Sequence, residues 1–190
     1  MTPSSFPPRP TALLHALLRG VIAEGDVVID ATAGNGYDTV FLAECVGEGG
    51  KVLAFDVQAA AIQSASARVT AAGFSGRVDF YHESHVKMAE RVEQGSVAAV
   101  MFNLGYLPGE DHAHTTMACE TLAALRYAKS ILKTGGTLAV VCYPGHEAGA
   151  IEAFAVEEWM AALASEKWRV AKYAALGTLK PAPFLLIGKK

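Results

Sequence analysis

Leu13, Leu14, Leu17, Leu18, Val21 and Ile22 recur at helical spacing and predict a helix from Thr11 to Ala23. Beyond it, short apolar runs alternate with helix-compatible stretches. Strands are predicted at Val27–Asp30, Lys51–Asp56, Val78–Tyr81, Val97–Phe102 and Thr137–Tyr143. Helices are predicted at Asp38–Val46, Ala59–Ala72, Lys87–Glu93, Cys119–Leu132 and Ile151–Ser165. Gly47-Glu48-Gly49-Gly50, Gly73 and Lys133-Thr134-Gly135-Gly136 punctuate them. Val97 to Phe102 is almost wholly apolar, as a strand buried on both faces is. Arg169–Ala175 and Phe184–Gly188 read as two last strands with only the Lys180-Pro181-Ala182-Pro183 turn between them. The pattern predicts an α/β fold: a Rossmann-like, mostly parallel sheet with helices on both faces, closed by an antiparallel C-terminal edge hairpin.

The 190 residues are 52% hydrophobic and 18% charged, which suits one domain with a sizeable core and excludes a disordered chain. Residues 1–10 are proline-rich and lack the apolar region of a signal peptide, so an extended arm is expected before a single domain at 11–190. No apolar stretch reaches the roughly 18 residues needed to span a bilayer. Cys45, Cys119 and Cys142 are widely spaced and odd in number, which favours a reducing cytoplasm over a disulfide framework. The net charge of -3 argues against broad electrostatic capture of nucleic acid. An RNA substrate would need a local basic patch, for which Arg9, Arg19, Lys87, Arg126 and Lys129 are the candidates. Oligomeric state stays open, a homodimer included.

The chemistry concentrates after the first predicted strand, where Asp30-Ala31-Thr32-Ala33-Gly34-Asn35-Gly36-Tyr37-Asp38-Thr39 turns the chain into a helix. A strand, a tight glycine loop and a helix start hold nucleotide-like cofactors. A dinucleotide site wants Gly-x-Gly-x-x-Gly or Ala, and here the third position is Thr39. Nothing in the turn provides for a pyrophosphate. Asp30 instead suits a cofactor with a cationic end, as S-adenosylmethionine has. Gly34 and Gly36 are expected to line that cofactor, and Asn35 at the crest to meet its carboxylate or to form an Asx turn. Asp30 is expected to reach its amino end or to cap the following helix. Asp56 closes the second strand and suits the ribose hydroxyls, with Gln58 beside it. Ser84 and His85 follow the third strand, where adenine would lie. A ligand-free glycine turn is the bland alternative.

A second motif, Phe102-Asn103-Leu104-Gly105-Tyr106-Leu107-Pro108, ends the fourth strand. It resembles the Asn/Asp-Pro-Pro-Tyr loop of amino-methyltransferases. The Asn103 side-chain oxygen can accept one amine hydrogen and a backbone carbonyl, such as that of Leu104, another. Together they aim the nitrogen lone pair, and alignment of this kind can lower a barrier by about 7–11 kcal/mol. Tyr106 can stack on a flat base. Alternatively Asn103 forms a turn and Tyr106 is a packing ring. His112, His114, Thr115 and Thr116 follow this loop as candidate substrate contacts. Tyr143 and His146 end the fifth strand on the same rim, where His146 could take the amine proton or touch the nucleotide. Metal binding is not expected, because no cysteine or carboxylate joins the histidines at zinc spacing.

Asp30 to Thr39, Phe55-Asp56-Val57-Gln58, Phe102 to Gly109 and Tyr143-Pro144-Gly145-His146 together resemble the bacterial YtqB-type methyltransferases, also called the MnmM family. The resemblance covers nearly the whole chain, most tightly residues 26 to 150. It implies a class I S-adenosylmethionine-dependent fold with a seven-stranded sheet, and a cofactor loop that includes Thr32, Asp38 and Thr39. It also implies a tRNA substrate, the wobble uridine carrying a 5-aminomethyl group, often with a 2-thio group. The product is the methylaminomethyl uridine. Leu104, Gly105 and Tyr106 would sit on the acceptor side. Thr32 stands where the general class I pattern has its first glycine, so the turn must keep Thr32 at negative φ. Three rival readings remain: methylation of a small amine, a protein or another RNA; a nicotinamide-dependent oxidoreductase; and a non-catalytic binding protein.

Overall fold

The computed structural model describes residues 7–105 and 118–190. Strands β1 (Val27–Asp30), β2 (Lys51–Asp56), β3 (Val78–His82), β4 (Val97–Leu104), β5 (Leu132–Cys142), β6 (Arg169–Ala174) and β7 (Phe184–Lys189) form one sheet, ordered β3-β2-β1-β4-β5-β7-β6. The first five strands run parallel, while β7 lies antiparallel between β5 and β6. The chain winds outward from β1 to β3, then returns to place β4 on the other side of β1. That reversal opens a crevice at the carboxyl ends of β1 and β4, where ligands bind in doubly wound sheets.

Alternating side chains cover the two faces. Val28, Val52, Ala54, Ala99, Met101, Val141 and Leu185 face helices α1 (Pro10–Arg19), α2 (Tyr37–Val46) and α3 (Ala59–Ala71). Ile29, Leu53, Phe55, Val100, Phe102, Val140 and Leu186 face α4 (Ala118–Ile131) and α5 (Glu147–Ala162). This double burial is why the strand sequences read as continuous apolar runs.

Three boundaries differ from the sequence reading in ways that shape the site. Helix α1 stops at Arg19 rather than Ala23, because the chain turns at Gly20, whose N–H bonds to Leu17. Strand β4 runs two residues past Phe102, pairing Asn103 with Val141 and Leu104 with Cys142, so Asn103 is held in the sheet. Helix α5 begins at Glu147 instead of Ile151, with His146 as its N-cap. The expected turn at 133–136 falls inside β5, at a register shift where Gly135 adopts φ +79°. The predicted helix at Lys87–Glu93 is a 3-10 segment, His85–Glu90, started by the Ser84 hydroxyl accepting the Val86 N–H.

Candidate active site

The loop after β1 leans across the crevice. Ala31 donates to the Met101 carbonyl on β4 at 2.9 Å, and Ala33 to the Phe55 carbonyl on β2 at 2.8 Å. Gly36 N–H closes the turn onto the Ala33 carbonyl at 2.8 Å. Gly34 and Gly36 take φ of +49° and +79°, and a Cβ at Gly36 would stand 2.6 Å from Ala65 Cα. Position 36 therefore requires glycine for both conformation and space. Thr32 keeps out of the positive-φ region, which among the described non-glycine residues only Lys167 enters.

The loop is braced from its neighbours. Asp56 Oδ2 accepts the Gly34 N–H and its Oδ1 the Gln58 N–H, both at 2.9 Å. Arg68 donates to the Asn35 carbonyl at 2.6 Å and lies 3.6 Å over the Tyr37 ring, while Ser64 donates to Asn35 Oδ1 at 3.3 Å. Asp56 still has lone pairs for ribose hydroxyls, since each carboxylate oxygen accepts more than one bond.

Asp30 is fully buried. Its Oδ2 accepts from the Thr39 hydroxyl at 2.6 Å and its Oδ1 from the Thr32 N–H at 3.1 Å. Asp30 therefore does not cap the following helix, whose N-cap is Gly36 without a side-chain bond; it ties the Thr39 hydroxyl in the first turn to the strand end. Thr39 is buried with it and braces the loop from beneath. Burial pushes the Asp30 carboxyl up to about 7, with the Asp38 and Asp56 charges adding to the rise and the Thr39 and Thr32 bonds opposing it. Three carboxylates thus surround the loop. No Lys or Arg among the described residues forms an ion pair with any of them. The resulting field is negative and favours a cation.

Asn103 stands at the end of β4 directly across from this loop. Its backbone N–H donates to Thr32 Oγ1 at 2.7 Å, and its Nδ2 donates to Asp38 Oδ2 at 2.9 Å. Its Oδ1 is buried and has no hydrogen-bond partner among the described residues. A buried acceptor left unpaired is costly, so native proteins keep one where a ligand donates to it. Asp38 Oδ1 meets His15 Nε2 at 2.7 Å.

The remaining expected residues divide. Tyr143 is half-buried and its ring lies against Gly105, where a Cβ would come within 3.4 Å. Burial and the Asp38 charge push the Tyr143 hydroxyl up, against a hydrogen bond with Asn103. His146 Nδ1 accepts the Gly149 N–H at 3.1 Å. A nitrogen engaged in this way cannot also take the amine proton without losing the cap. Gly149 is forced, as a Cβ there would lie 2.4 Å from the Tyr143 carbonyl. His85 is buried, with Nδ1 on the Ala31 carbonyl at 3.0 Å, its ring edge-on to Phe102 and Nε2 unpaired among the described residues. Burial lowers its basicity, against the Ala31 bond and the Glu120 and Asp56 charges. Tyr106, His112, His114, Thr115 and Thr116 lie outside the described residues.

Of the basic candidates, Arg19 pairs with Glu44, Lys87 with Glu83 and Lys129 with Glu166 on the surface. Among the described residues, no group of three or more His, Cys, Asp or Glu could hold a metal, and no helix is long and apolar enough to cross a membrane. Sequence reasoning missed His15, whose partner lies 23 residues away. Val57, beside Asp56, is an apolar residue left 55% exposed.

A doubly wound sheet with an acid-rimmed glycine loop at its switch point, closed by an antiparallel hairpin, defines a Rossmann-like methyltransferase fold. Comparison with known proteins narrows the class. The chain belongs to the family described as "Putative rRNA methylase", whose model matches residues 52–189. A second model, for protein-L-isoaspartate(D-aspartate) O-methyltransferase, matches residues 4–93, which carry the glycine loop. The chain is 40% identical over 175 residues to a chloroplastic tRNA (mnm(5)s(2)U34)-methyltransferase of Arabidopsis thaliana. That alignment covers 87% of this chain and 64% of the relative, so the chain spans less than two thirds of the relative's length. A "putative rRNA-methylase" from Clostridium thermocellum superposes with a TM-score of 0.92 at 36% identity, covering 96% of this chain and 97% of that one. A "putative methyltransferase" from Streptococcus mutans, solved in complex with SAH, superposes at 0.86 with 32% identity over 96% of this chain and 98% of that one.

Proposed function

We propose that the protein is an S-adenosylmethionine-dependent N-methyltransferase. Its substrate is the 5-aminomethyl uridine, with or without a 2-thio group, at the tRNA wobble position, and its product is the 5-methylaminomethyl uridine. The observation that carries this reading is the Asn103 amide, whose nitrogen end is fixed by Asp38 and whose oxygen is a buried acceptor with no partner among the described residues. An amine acceptor needs such an oxygen, because one accepted hydrogen helps aim its lone pair.

The residues present fit the cofactor. The negative rim of Asp38 and Asp56 suits a molecule with an ammonium and a sulfonium and repels a pyrophosphate. S-adenosylmethionine would supply the electrophilic methyl group. Asp56 and Gln58 take the ribose side, Val57 and the Ser84–His85 segment the adenine side, and Gly34, Asn35 and Gly36 the methionine side. The chain contributes alignment: Asn103 Oδ1 and the Leu104 carbonyl each accept one amine hydrogen, leaving the lone pair directed at the methyl carbon. Tyr143 and His146 flank the base. An anticodon base is unpaired and can enter at little unstacking cost. Residues 11–190 act as one catalytic domain after a short arm, and three unbridged cysteines suit the cytoplasm.

The test is direct. Purified protein with labelled cofactor should transfer methyl to tRNA bearing the aminomethyl uridine, and nucleoside mass spectrometry should find the methylaminomethyl product. Transfer to small amines but not to that tRNA would reject the reading.

A further inference from the structure

Asp38 presents two acceptor oxygens and, as a carboxylate, no donor. One oxygen takes the Asn103 Nδ2–H at 2.9 Å and the other meets His15 Nε2 at 2.7 Å. The Asn103 amide can satisfy Asp38 only with its nitrogen end. Its oxygen is therefore driven to the opposite side, where it has no partner among the described residues.

His15 makes this arrangement rigid. Its ring stacks on Phe41 with centroids 3.9 Å apart and planes 7° from parallel. Helix α1 is anchored below by Leu14 and Leu18, both fully buried. His15 thus projects from a fixed helix against a fixed ring, and its Nε2–H holds the Asp38 carboxylate in the rotamer that reaches Asn103. The Asp38 side chain is 12% exposed, so water competes weakly for its oxygens.

We infer that His15 and Asp38 are positioning residues for methyl transfer: acting through Asn103, they present its Oδ1, and not its Nδ2, to the amine. The inference rests on the amine-acceptor reading above. It adds that helix α1, which lies before the cofactor loop in the chain, is part of the catalytic apparatus. Neither residue touches the reacting atoms.

Three variants test it: His15→Ala, which removes the donor; His15→Gln, whose side-chain amide can donate to Asp38; and Asp38→Asn, which lets the Asn103 amide flip. In His15→Ala we expect kcat to fall about tenfold or more, the effect of one lost charge-assisted hydrogen bond, with tRNA KM and SAH affinity within about twofold. His15→Gln should recover most of the loss, and Asp38→Asn should be at least as impaired as His15→Ala. A second readout needs no activity. The Asn103 side-chain N–H resonance, assigned by its absence in Asn103→Ala, should shift in His15→Ala and return in His15→Gln. An unmoved resonance with unchanged kcat in His15→Ala overturns the inference, as does equal impairment of His15→Gln and His15→Ala. If the resonance responds as expected but wild-type protein methylates no tRNA, the substrate reading fails and the relay stands.

Discussion

The Asp38 carboxylate, in the first turn of α2, accepts the side-chain N–H of Asn103 across 65 residues of sequence at 2.9 Å. The bond joins the start of α2 to the end of β4, the two elements that the proposed reaction brings together for cofactor and acceptor. A shift of either would misalign the other.

Replacing Asn103 with alanine removes the acceptor oxygen and leaves Asp38 with only its His15 bond of the two. Turnover is expected to fall by about 10²-fold or more, the scale seen when one preorganised polar group is deleted from an active site. Affinity for SAH, measured by calorimetry, should change little, because the Gly34–Asp56 and Asn35–Arg68 contacts are untouched. Equal losses in turnover and SAH affinity would place Asn103 in cofactor binding alone.

At Gly36 the expected effect is on the loop itself. Gly36→Ala forces a Cβ to within 2.6 Å of Ala65 Cα at a φ of +79°. Left-handed strain of about 1 kcal/mol and overpacking of about 1–3 kcal/mol both apply. Thermal unfolding should show the destabilisation, and SAH binding should weaken. A variant as stable as the parent would mean that α3 yields freely.

Asp30 predicts a pH dependence of stability. Its folded carboxyl sits near 7, raised above the unfolded value by burial. Its contribution is therefore complete below about pH 4 and is lost as pH rises through about 7, a cost approaching about 4 kcal/mol. Asp30→Asn keeps a neutral side chain that can accept from Thr39. Unfolding measured from pH 4 to 8 should show wild type losing stability relative to this variant as pH rises. A constant difference between the two would refute burial as the dominant influence on Asp30.

Gly149→Ala tests the far rim. The new Cβ would meet the Tyr143 carbonyl at 2.4 Å and His146 Nε2 at 2.8 Å, so the segment between them must move. The KM for tRNA should rise and SAH affinity should hold, because the proposed cofactor contacts follow β1, β2 and β3. Unchanged tRNA kinetics would remove Tyr143 and His146 from the substrate side.

Periodicity and local chemistry made the sheet, the glycine loop and the two motif ends legible from the chain alone. Apolar runs such as Val97–Phe102 declare double burial, and a Gly-Asn-Gly turn after an acid declares a ligand loop, because both are properties of neighbouring residues. The same rules placed Asp56 and Asn103 at strand ends, hence at one edge of the sheet. Packing between distant segments decided the rest. Asp30 was legible as an acid, but only the folded environment buries it beneath Thr39 and Thr32. His146 was legible as a rim histidine, yet the earlier start of α5 engages its Nδ1 as a cap. His15 gave no signal at all, since its partners Phe41 and Asp38 adjoin it only once α1 docks beside α2. Sequence patterns report the burial and backbone needs of adjacent residues. Which polar atom meets which across the core is set by the docking of helices, and that is where the candidate site acquires its geometry.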